Sequence, residues 1–428
     1  MLTVSIFLFT LFGILVRPFG FKIWVYSSFG AIAILAFKLV DLSEIEAIFW
    51  LISHSTALLI ALIIISFCLE ALGFFEWLIF YTLKLCASKQ NDSLTIHTHK
   101  LFIAICILCA LCSSILANDG AILILTPLIL GIFLRAKGAN SHQLIAFVFA
   151  VGFICDINSN ALIISNLTNV ITANFHHLDF KDFAKIMLLP NFTAFLSTLT
   201  LFLLVFRKNL ASPLTVKAVA KPKLSFQFFL FYLLLLILFV ISFFLSSKIH
   251  LPLSLNALIF ALFLLIIVWG KSRKKAVKII KNAPFGIILF VFGLFIVVLA
   301  LTKLDIADFV NLVFSQFSST PASIFGGGLI SSLCASVFNN LPTVLFANTL
   351  INDFFSSSPI KEALIYANLL GANIGSKLTP IGSLCTLLWL ALLEKRGVKI
   401  SFKRYFSLSL IFTFPVLFCA LFALYLVL

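Results

Sequence analysis

Charged side chains are scarce in this chain: they make up 11% of its 428 residues, whereas hydrophobic residues make up 62%. A surface that faces water needs far more charge than this, so the composition excludes a soluble protein of this length. Stretches long enough to form a water-soluble domain are also missing between the apolar runs. The sequence therefore predicts an integral membrane protein.

Apolar runs of about 20 residues recur along the chain, which is the length that a helix needs to cross a bilayer. Clear examples are 226–245, 251–270, 285–301 and 405–428. Lipid offers the backbone no hydrogen-bond partners, so an open chain can cross it only as helix. The first 17 residues lack a basic leader and a cleavage site of small residues, which predicts a first span rather than a removed signal peptide. We expect an all-α polytopic membrane protein.

Acidic residues are scarcer than basic ones, 15 against 30, and the net charge is +15. The basic residues do not spread over one face, as nucleic-acid binding would require, and they lie instead in clusters within 207–223, 271–281 and 395–404. The positive-inside rule predicts that these clusters face the cytoplasm and that the acidic turn 41–46 faces outward. Both chain termini are then expected on the outside.

The nine cysteines lie mostly within apolar runs, with no histidine nearby at ligand spacing. This pattern favours apolar filling over disulfides or a bound metal, and no cofactor is predicted. Cys106, Cys109 and Cys112 are an exception, since their spacing places three thiols on one helical face, where they could hold a soft metalloid. Three thiolates together would hold such an ion too tightly to release it readily, so the filling role is preferred.

The basic loop 207–223 divides the chain into two parts of similar length, 1–206 and 224–428. The segment "SSILANDGAILIL" (113–125) of the first part is similar to "ASVFNNLPTVLFA" (335–347) of the second, which pairs Asn118 with Asn339 and Asp119 with Asn340. We interpret 207–223 as a cytoplasmic linker between two repeats.

A second polar segment in each part strengthens the repeat. "CDINSNALIISN" (155–166) is similar to "ANIGSKLTPIGS" (372–383), which pairs Asp156 with Asn373, and 73–81 is similar to 305–314. The charge bias makes the spans before the first polar segments run in opposite directions, so the repeats are predicted to be inverted.

Inverted repeats with polar breaks at matching positions are typical of secondary transporters, whose site lies near the bilayer midplane where broken helices meet. We therefore predict roughly ten transmembrane helices plus two re-entrant hairpins, with Asn118 and Asp119 at a hairpin tip. The alternative for a single break is a packing kink whose polar residues cap helix ends. Four breaks paired by a repeat favour the transporter.

The motifs that identify a family are "GFFEW" (73–77), "ANDGAILILTP" (117–127), "ISNLTN" (164–169), "NNLPTVL" (339–345) and "KLTPIGSLCTLLWL" (377–390). Through them the whole chain resembles the arsenite and antimonite efflux carriers, the arsenical pump membrane proteins of the ion transporter superfamily. The resemblance implies a multi-pass protein of the inner (plasma) membrane, not an enzyme, that exports these hydroxides by proton antiport and moves a transport domain against a scaffold. A soluble ATPase subunit and a homo-oligomer stay open as partners, beside membrane lipid.

Arsenous acid is a small uncharged triol at neutral pH, so its site needs hydrogen-bonding oxygens and amides rather than fixed charge. The polar breaks supply such groups. The predicted substrate-binding residues are Asn118, Asn158, Ser159, Ser165, Asn166, Asn339, Asn340, Thr343, Ser376, Thr379 and Ser383.

Proton coupling needs a group that changes charge within the membrane, and Asp119 and Asp156 are the carboxylates of the breaks. We favour Asp156, which lies in the longer apolar stretch and has Asn373 as its repeat partner. Asp119 is expected to stay ionised at its tip, next to backbone N–H groups and water. Lys377 is the third candidate, and the role of counter-ion to one of the aspartates stays open for it.

The chain departs from the family pattern in the second half. Ala372 and Asn373 stand where the family commonly has Cys-Asp, and Ser376 replaces a usual proline. A thiol contact to arsenic at that place is therefore lost, as is one potential proton carrier. The resemblance leaves the substrate range and the proton stoichiometry open.

Three other kinds of function compete with export. A dicarboxylate or sulfate symporter, or a sodium-proton antiporter of the same superfamily, would use the same hairpin tips and is the main alternative. An intramembrane aspartyl protease is disfavoured, because the Gly-x-Gly-Asp context is absent. An ATP-driven pump is disfavoured as well, because "GANIGSK" (371–377) has the wrong residue order for a phosphate-binding loop and lies in the membrane.

Overall fold

Helices follow one another along nearly the whole chain. The computed structural model describes residues 1–90, 93–137, 140–217, 221–246, 248–249, 251–304, 317 and 319–428. The helices of the first half are α1 (Leu2–Val16), α2 (Ile23–Ala36), α3 (Leu42–Ala71), α4 (Phe74–Cys86), α5 (Thr98–Leu116), α6 (Asn118–Arg135), α7 (Ser141–Ile157), α8 (Leu167–Phe175) and α9 (Phe180–Val205). The helices of the second half are α10 (Phe226–Ser246), α11 (Leu253–Lys271), α12 (Arg273–Asn282), α13 (Gly286–Thr302), α14 (Thr320–Phe338), α15 (Asn340–Phe355), α16 (Lys361–Gly375), α17 (Leu384–Lys395) and α18 (Phe402–Val427).

Eight of the described helices are long and apolar enough to cross a membrane, and shorter apolar helices accompany them. Their outward side chains are apolar as well: Leu234 and Leu238 of α10, for example, are each about half exposed. In lipid this exposure costs nothing, because the surroundings are as apolar as the side chains. The prediction of an all-α polytopic membrane protein is confirmed.

A small antiparallel sheet joins three loops at one end of the helices. Its strands are β1 (Ala87–Gln90), β2 (Ser93–Ile96), β3 (Ala136–Lys137) and β4 (Leu214–Lys217), in the order β1-β2-β4-β3. Strand β2 leads into α5 and β3 follows α6, and both pair with β4. Since α5 and α6 begin and end at the same sheet, they form a helical hairpin; its re-entry into the membrane from one side stays a prediction.

The basic loops gather at this end of the molecule, which we call the basic end. Strand β4 belongs to the loop 207–223, Trp77 Nε1 of α4 donates a 2.6 Å hydrogen bond to Leu224 O, and Lys275 Nζ of α12 donates a 3.0 Å bond to Ala71 O at the end of α3. At the opposite end, Lys303 Nζ lies 2.5 Å from Glu44 Oε2 and 3.7 Å from Asp41 Oδ2. Hydrogen bonding to Lys303 lowers the pKa of the Glu44 carboxyl.

The helices of the two halves interleave. Helix α2 packs along α13, and α11 packs along α3. Helices α14 and α16 approach so closely that a Cβ on Gly371 would overlap the carbonyl oxygen of Gly328. Small residues permit this backbone contact, which is a common way for helices to associate in lipid.

Two helices are broken within their spans. Helix α7 ends at Ile157 and the chain resumes as α8 after the 3-10 turn Ile163–Ser165. Helix α16 ends at Gly375 and resumes as α17 after the 3-10 turn Ser376–Leu378. The segment 305–314, which the sequence paired with 73–81, lies outside the residues that the structure describes.

Candidate functional site

Each hairpin turns at a single residue with unusual backbone angles. Ala117 separates α5 from α6 with φ 62° and ψ 144°, and Asn339 separates α14 from α15 with φ 77° and ψ 150°. Neither residue is glycine, so each conformation costs about 1–3 kcal/mol and must be held by its neighbours. By this geometry Asn118 corresponds to Asn340, one residue away from the pairing of Asn118 with Asn339 that shared letters suggested.

The backbone carbonyls that the hairpin turns leave open are capped by hydroxyls of the broken helices. Ser165 Oγ donates to Ser114 O over 2.8 Å, and Thr379 Oγ1 donates to Ser336 O over 2.5 Å. Thr343 Oγ1 donates to Asn339 O within its own helix. The structure therefore places Ser165, Thr379 and Thr343 in bonds to the backbone of the tips, which fix the tips' shape.

The first tip is tied to the broken helix α7 by Asn118. The Asn118 side chain accepts a 2.9 Å hydrogen bond from the Asp119 N–H and donates a 2.7 Å bond to Asp156 Oδ1. The second tip is tied to the turn before α17, because Asn339 Nδ2 donates to Ile381 O and the Asn340 N–H donates to Gly382 O. Each hairpin thus rests on the broken helix of its own half.

Asp156 and Lys377 form a buried ion pair between the two halves. Lys377 Nζ lies 2.5 Å from Asp156 Oδ2, and the side chains are 1% and 0% exposed. Ser383 Oγ also donates to Asp156 Oδ2, over 3.0 Å, while Lys377 donates further bonds to Gly152 O and Thr386 Oγ1. Both charges are fully hydrogen-bonded, which is the condition under which a buried pair is tolerated.

Aromatic rings surround the ammonium of this pair. The ring centroid of Phe153 lies 5.7 Å from Lys377 Nζ, and the Trp389 indole lies against Gly152. A Cβ at position 152 would come within 2.6 Å of that indole, so glycine is needed for the close approach. The rings exclude water from the pair, which strengthens its electrostatic attraction.

Asn373, the repeat partner of Asp156, sits in a cluster of neutral amides. It accepts a 2.8 Å hydrogen bond from Thr168 Oγ1 and donates to Asn160 Oδ1 and Asn169 Oδ1, over 2.8 and 3.1 Å. The two positions still share one local bond, since Ser159 Oγ donates to Asp156 O and Ser376 Oγ donates to Asn373 O. The two positions that the sequence paired thus share this backbone bond, but Asp156 belongs to an ion pair and Asn373 to a cluster of amides.

The sequence prediction did not include Asn160, Thr168 and Asn169, although they are polar residues within a buried stretch. One residue that it did select bonds elsewhere, since Asn158 Nδ2 donates to Asn191 O of α9. Asn166 Nδ2 donates to Ser159 Oγ, which joins two of the predicted residues to each other. The polar pattern alone could not separate side chains that hold the fold from those that face open space.

A small cavity of about 30 Å³ lies between the two tips. Such a volume holds about one water molecule, so the tips are nearly closed on each other. The cavity is lined by Asn118, Asp119, Asn166, Leu167, Thr168, Ile287, Phe290, Asn339, Asn340, Leu341, Ser383, Leu384 and Cys385. Five of the predicted substrate-binding residues meet here, together with Asp119 and with the unpredicted Cys385.

The cysteines on α5 lie elsewhere. Cys106, Cys109 and Cys112 are buried, and Cys155 Sγ of α7 contacts Cys109 O at 3.9 Å. In the part of the chain that the structure describes, no three His, Cys, Asp or Glu side chains are arranged to hold a metal ion. These thiols pack between α5 and α7 and do not line the cavity.

Comparison with known proteins points to one family. The family described as "Arsenical pump membrane protein" matches residues 2–428. The chain is 33% identical to an arsenical pump membrane protein of Escherichia coli (strain K12) and to one of Shigella flexneri, over 98% of this chain and 97% of each relative. It is 34% identical to the protein of that name from Yersinia enterocolitica, with the same coverage.

Proposed function

This chain belongs to the arsenical pump membrane protein family, and from that membership we propose that it exports arsenite and antimonite from the cytoplasm in exchange for protons. It is a multi-pass protein of the inner membrane, and its relatives are membrane pumps. The observation that carries the proposal is the contact between the cavity and the ion pair: Asn118 and Ser383 line the cavity and also donate hydrogen bonds to Asp156.

The cavity suits a small neutral hydroxide. Its polar lining consists mainly of four amides and two hydroxyls, which both donate and accept hydrogen bonds, as the three hydroxyls of arsenous acid do. Ile287 and Phe290 of α13 close the cavity on the side of the interleaved helices. The space must widen before a molecule larger than water enters, so the tips have to separate during transport.

The coupling follows from the Ser383 hydroxyl. When Asp156 is ionised, Ser383 Oγ donates to it over 3.0 Å, and the lone pairs of that oxygen remain for a substrate hydroxyl. When Asp156 is protonated, its carboxyl becomes a donor and Ser383 Oγ is an acceptor within reach. Proton and substrate then draw on the same hydroxyl, so each weakens the binding of the other, as antiport requires.

An anionic substrate fits the site less well. Among the described residues of the site, the positively charged side chain is that of Lys377, and the Asp156 carboxylate already neutralises its charge. A dicarboxylate or sulfate would have to break this pair to gain a positive charge, at a cost of several kcal/mol. Neutral arsenite makes no such demand. Uptake of labelled succinate and sulfate should therefore match that of vesicles without the protein.

The test measures arsenite accumulation in cells that lack their own exporter. Cells that produce this protein should accumulate less arsenite than cells that lack it. A protonophore should raise their arsenite accumulation to the level of the cells that lack the protein. The same comparison in everted vesicles should show uptake that depends on the imposed pH gradient. Equal accumulation with and without the protein overturns the export function, whereas export that ignores the protonophore overturns proton coupling alone.

A further inference from the structure

An apolar cavity of about 470 Å³ lies between the second hairpin and helix α13. Helices α14, α15 and α16 form one wall, and Phe7 of α1 with Val298 and Leu301 of α13 forms the other. The volume falls within the range of about 300–1,000 Å³ that is usual for small-molecule sites. Among the described residues this cavity shares no lining side chain with the small cavity between the tips, so it lies outside the proposed transport site.

One buried amide at this cavity has no hydrogen-bond partner for its nitrogen in the part of the chain that the structure describes. Asn368 of α16 lines the cavity and is 2% exposed; its Oδ1 accepts a 2.8 Å bond from Ser331 Oγ, whereas its Nδ2 is unpaired. The other hydroxyl of the lining, that of Thr343, donates to Asn339 O. Burial of an N–H donor without a partner costs about 1–3 kcal/mol. The Asn368 side chain therefore indicates a ligand that brings an acceptor oxygen to this cavity.

The cavity has the length of one acyl chain. On α14 its lining runs from Gly327 to Phe338, and 11 steps of about 1.5 Å make this about 16 Å. One leaflet contributes half of the hydrocarbon core of roughly 30 Å, which is about 15 Å. Ser331, the partner of Asn368, lies four residues from Gly327 and seven from Phe338. The unpaired donor thus lies nearer to the end of the cavity that is away from the second tip.

One wall of the cavity continues onto an exposed apolar face of α14. Leu329, Leu333 and Val337 form a stripe on this face and are each about half exposed, and Ile330 and Cys334 of the cavity wall lie next to them and are half-buried. In a membrane such a stripe faces the acyl chains of the bilayer. A chain can therefore extend from the bilayer into the cavity without crossing a polar surface.

We propose that this cavity binds one acyl chain of a membrane phospholipid, and that the ester carbonyl of this chain accepts a hydrogen bond from Asn368 Nδ2. An ester oxygen accepts hydrogen bonds and has no hydrogen to donate, which suits a single donor in an apolar lining. A water-soluble ligand would lose its hydration against these side chains without replacement. The described lining has no charged side chain to hold a phosphate, so the headgroup stays at the membrane surface.

Photolabelling from the bilayer tests the binding. The full-length protein is reconstituted in vesicles that contain a phospholipid with a photoactivatable diazirine on its acyl chain, and mass spectrometry locates the label after illumination. We expect label on the buried lining residues Ser331 and Leu350, beside label on the exposed Leu329. Ala347→Phe places a ring in the cavity and should remove most of the label from Ser331 and Leu350. Leu333→Phe adds the same ring on the exposed stripe and should leave that label unchanged.

Leu329 is the reference for the amount of protein in the bilayer, and size-exclusion chromatography shows which variants are folded. Label confined to Leu329 overturns the proposal, as does label on Ser331 and Leu350 that a folded Ala347→Phe variant leaves unchanged. A free fatty acid with the same diazirine is the second probe. If it labels the two lining residues and the phospholipid does not, the occupant is a fatty acid and the proposal is wrong.

Competition tests the ester carbonyl and does not depend on the variant that fills the cavity. An unlabelled ester-linked phospholipid and its ether-linked analogue, which lacks the carbonyl, compete with the photolabel in the wild type and in Asn368→Leu. In the wild type the ester should compete about threefold to tenfold better than the ether, as one additional hydrogen bond predicts. In Asn368→Leu the two should compete equally. Equal competition in the wild type, or an ester preference that persists in Asn368→Leu, overturns the assignment of Asn368 as the partner of the ester. Neither measurement uses arsenite, so the result is independent of the export function.

Discussion

Asp156 and Lys377 lie 2.5 Å apart, although 220 residues separate them and they belong to opposite halves of the chain. Helix α7 presents the carboxylate at its end, and the 3-10 turn after α16 presents the ammonium. Removal of either partner leaves the other charge buried and unpaired, which costs about 3–5 kcal/mol. The pair thus joins the two halves of the chain, and proton uptake by Asp156 is part of the function proposed above.

We expect Asp156→Asn to abolish uphill efflux and also to weaken the fold, because Lys377 is left without its counter-ion. The matched variant is the double substitution Asp156→Asn with Lys377→Met, which removes both charges. It should recover most of the thermal stability of the purified protein and still fail to drive efflux in vesicles with a pH gradient. Gradient-driven efflux by the double variant would place proton coupling at Asp119.

Asp119→Asn should weaken arsenite binding and preserve the response to the pH gradient. Asp119 lines the cavity, and the amide keeps the shape of its side chain but accepts hydrogen bonds from a substrate hydroxyl at one atom instead of two. We expect the KM in everted vesicles to rise by about tenfold while the dependence on pH stays that of the wild type. A variant with normal KM and no pH dependence would exchange the roles of Asp119 and Asp156.

Asn118→Ala and Asn339→Ala should each impair transport, for different reasons. Asn118 holds the ion pair, whereas Asn339 holds the backbone of the second tip at φ 77°. Asn339→Gly is the informative comparison, because glycine adopts that conformation without strain. It should restore the folded amount that Asn339→Ala loses and leave transport reduced. If Asn339→Ala is fully active and as stable as the wild type, its side chain matters neither to the tip nor to the substrate.

Gly371→Ala should destabilise the protein by at least about 1–3 kcal/mol, since the new methyl group meets the Gly328 carbonyl of α14. Gly131→Ala on α6 is the control, as a Cβ there has nothing within 4 Å and alanine favours the helix. Unfolding temperatures of the two purified variants decide the matter. Equal temperatures would mean that α14 and α16 can separate at no cost.

The sequence alone revealed the polar breaks in the helices, because polar residues are easy to recognise within apolar runs. Asn118, Asp156 and Ser383 stood out in this way, and the structure brings all three together. The sequence could not show that Lys377 contacts Asp156, because a contact between residues 220 positions apart depends on how the two halves pack together. A counter-ion role for Lys377 was nevertheless one of the two it left open.

Cys385 escaped notice for a different reason. A cysteine in an apolar helix has the pattern of a small filler, and eight others in the chain share that pattern. Only the position of the cavity separates it from them. The helical face shared by Cys106, Cys109 and Cys112 drew attention because spacing is visible in a sequence, whereas the space that a side chain faces is not.

Strand β4 has a consequence for how this gene product could be divided. Its residues 214–217 follow the predicted first repeat in the chain. They nevertheless pair with β2 and β3 and so complete the sheet at which the first hairpin begins and ends. A polypeptide that stopped at residue 206 would lack one component of its own structure. Two separately synthesised polypeptides would therefore reassemble best when the cut falls after β4, so the border that the sequence predicts between the repeats is not the border between independently stable pieces.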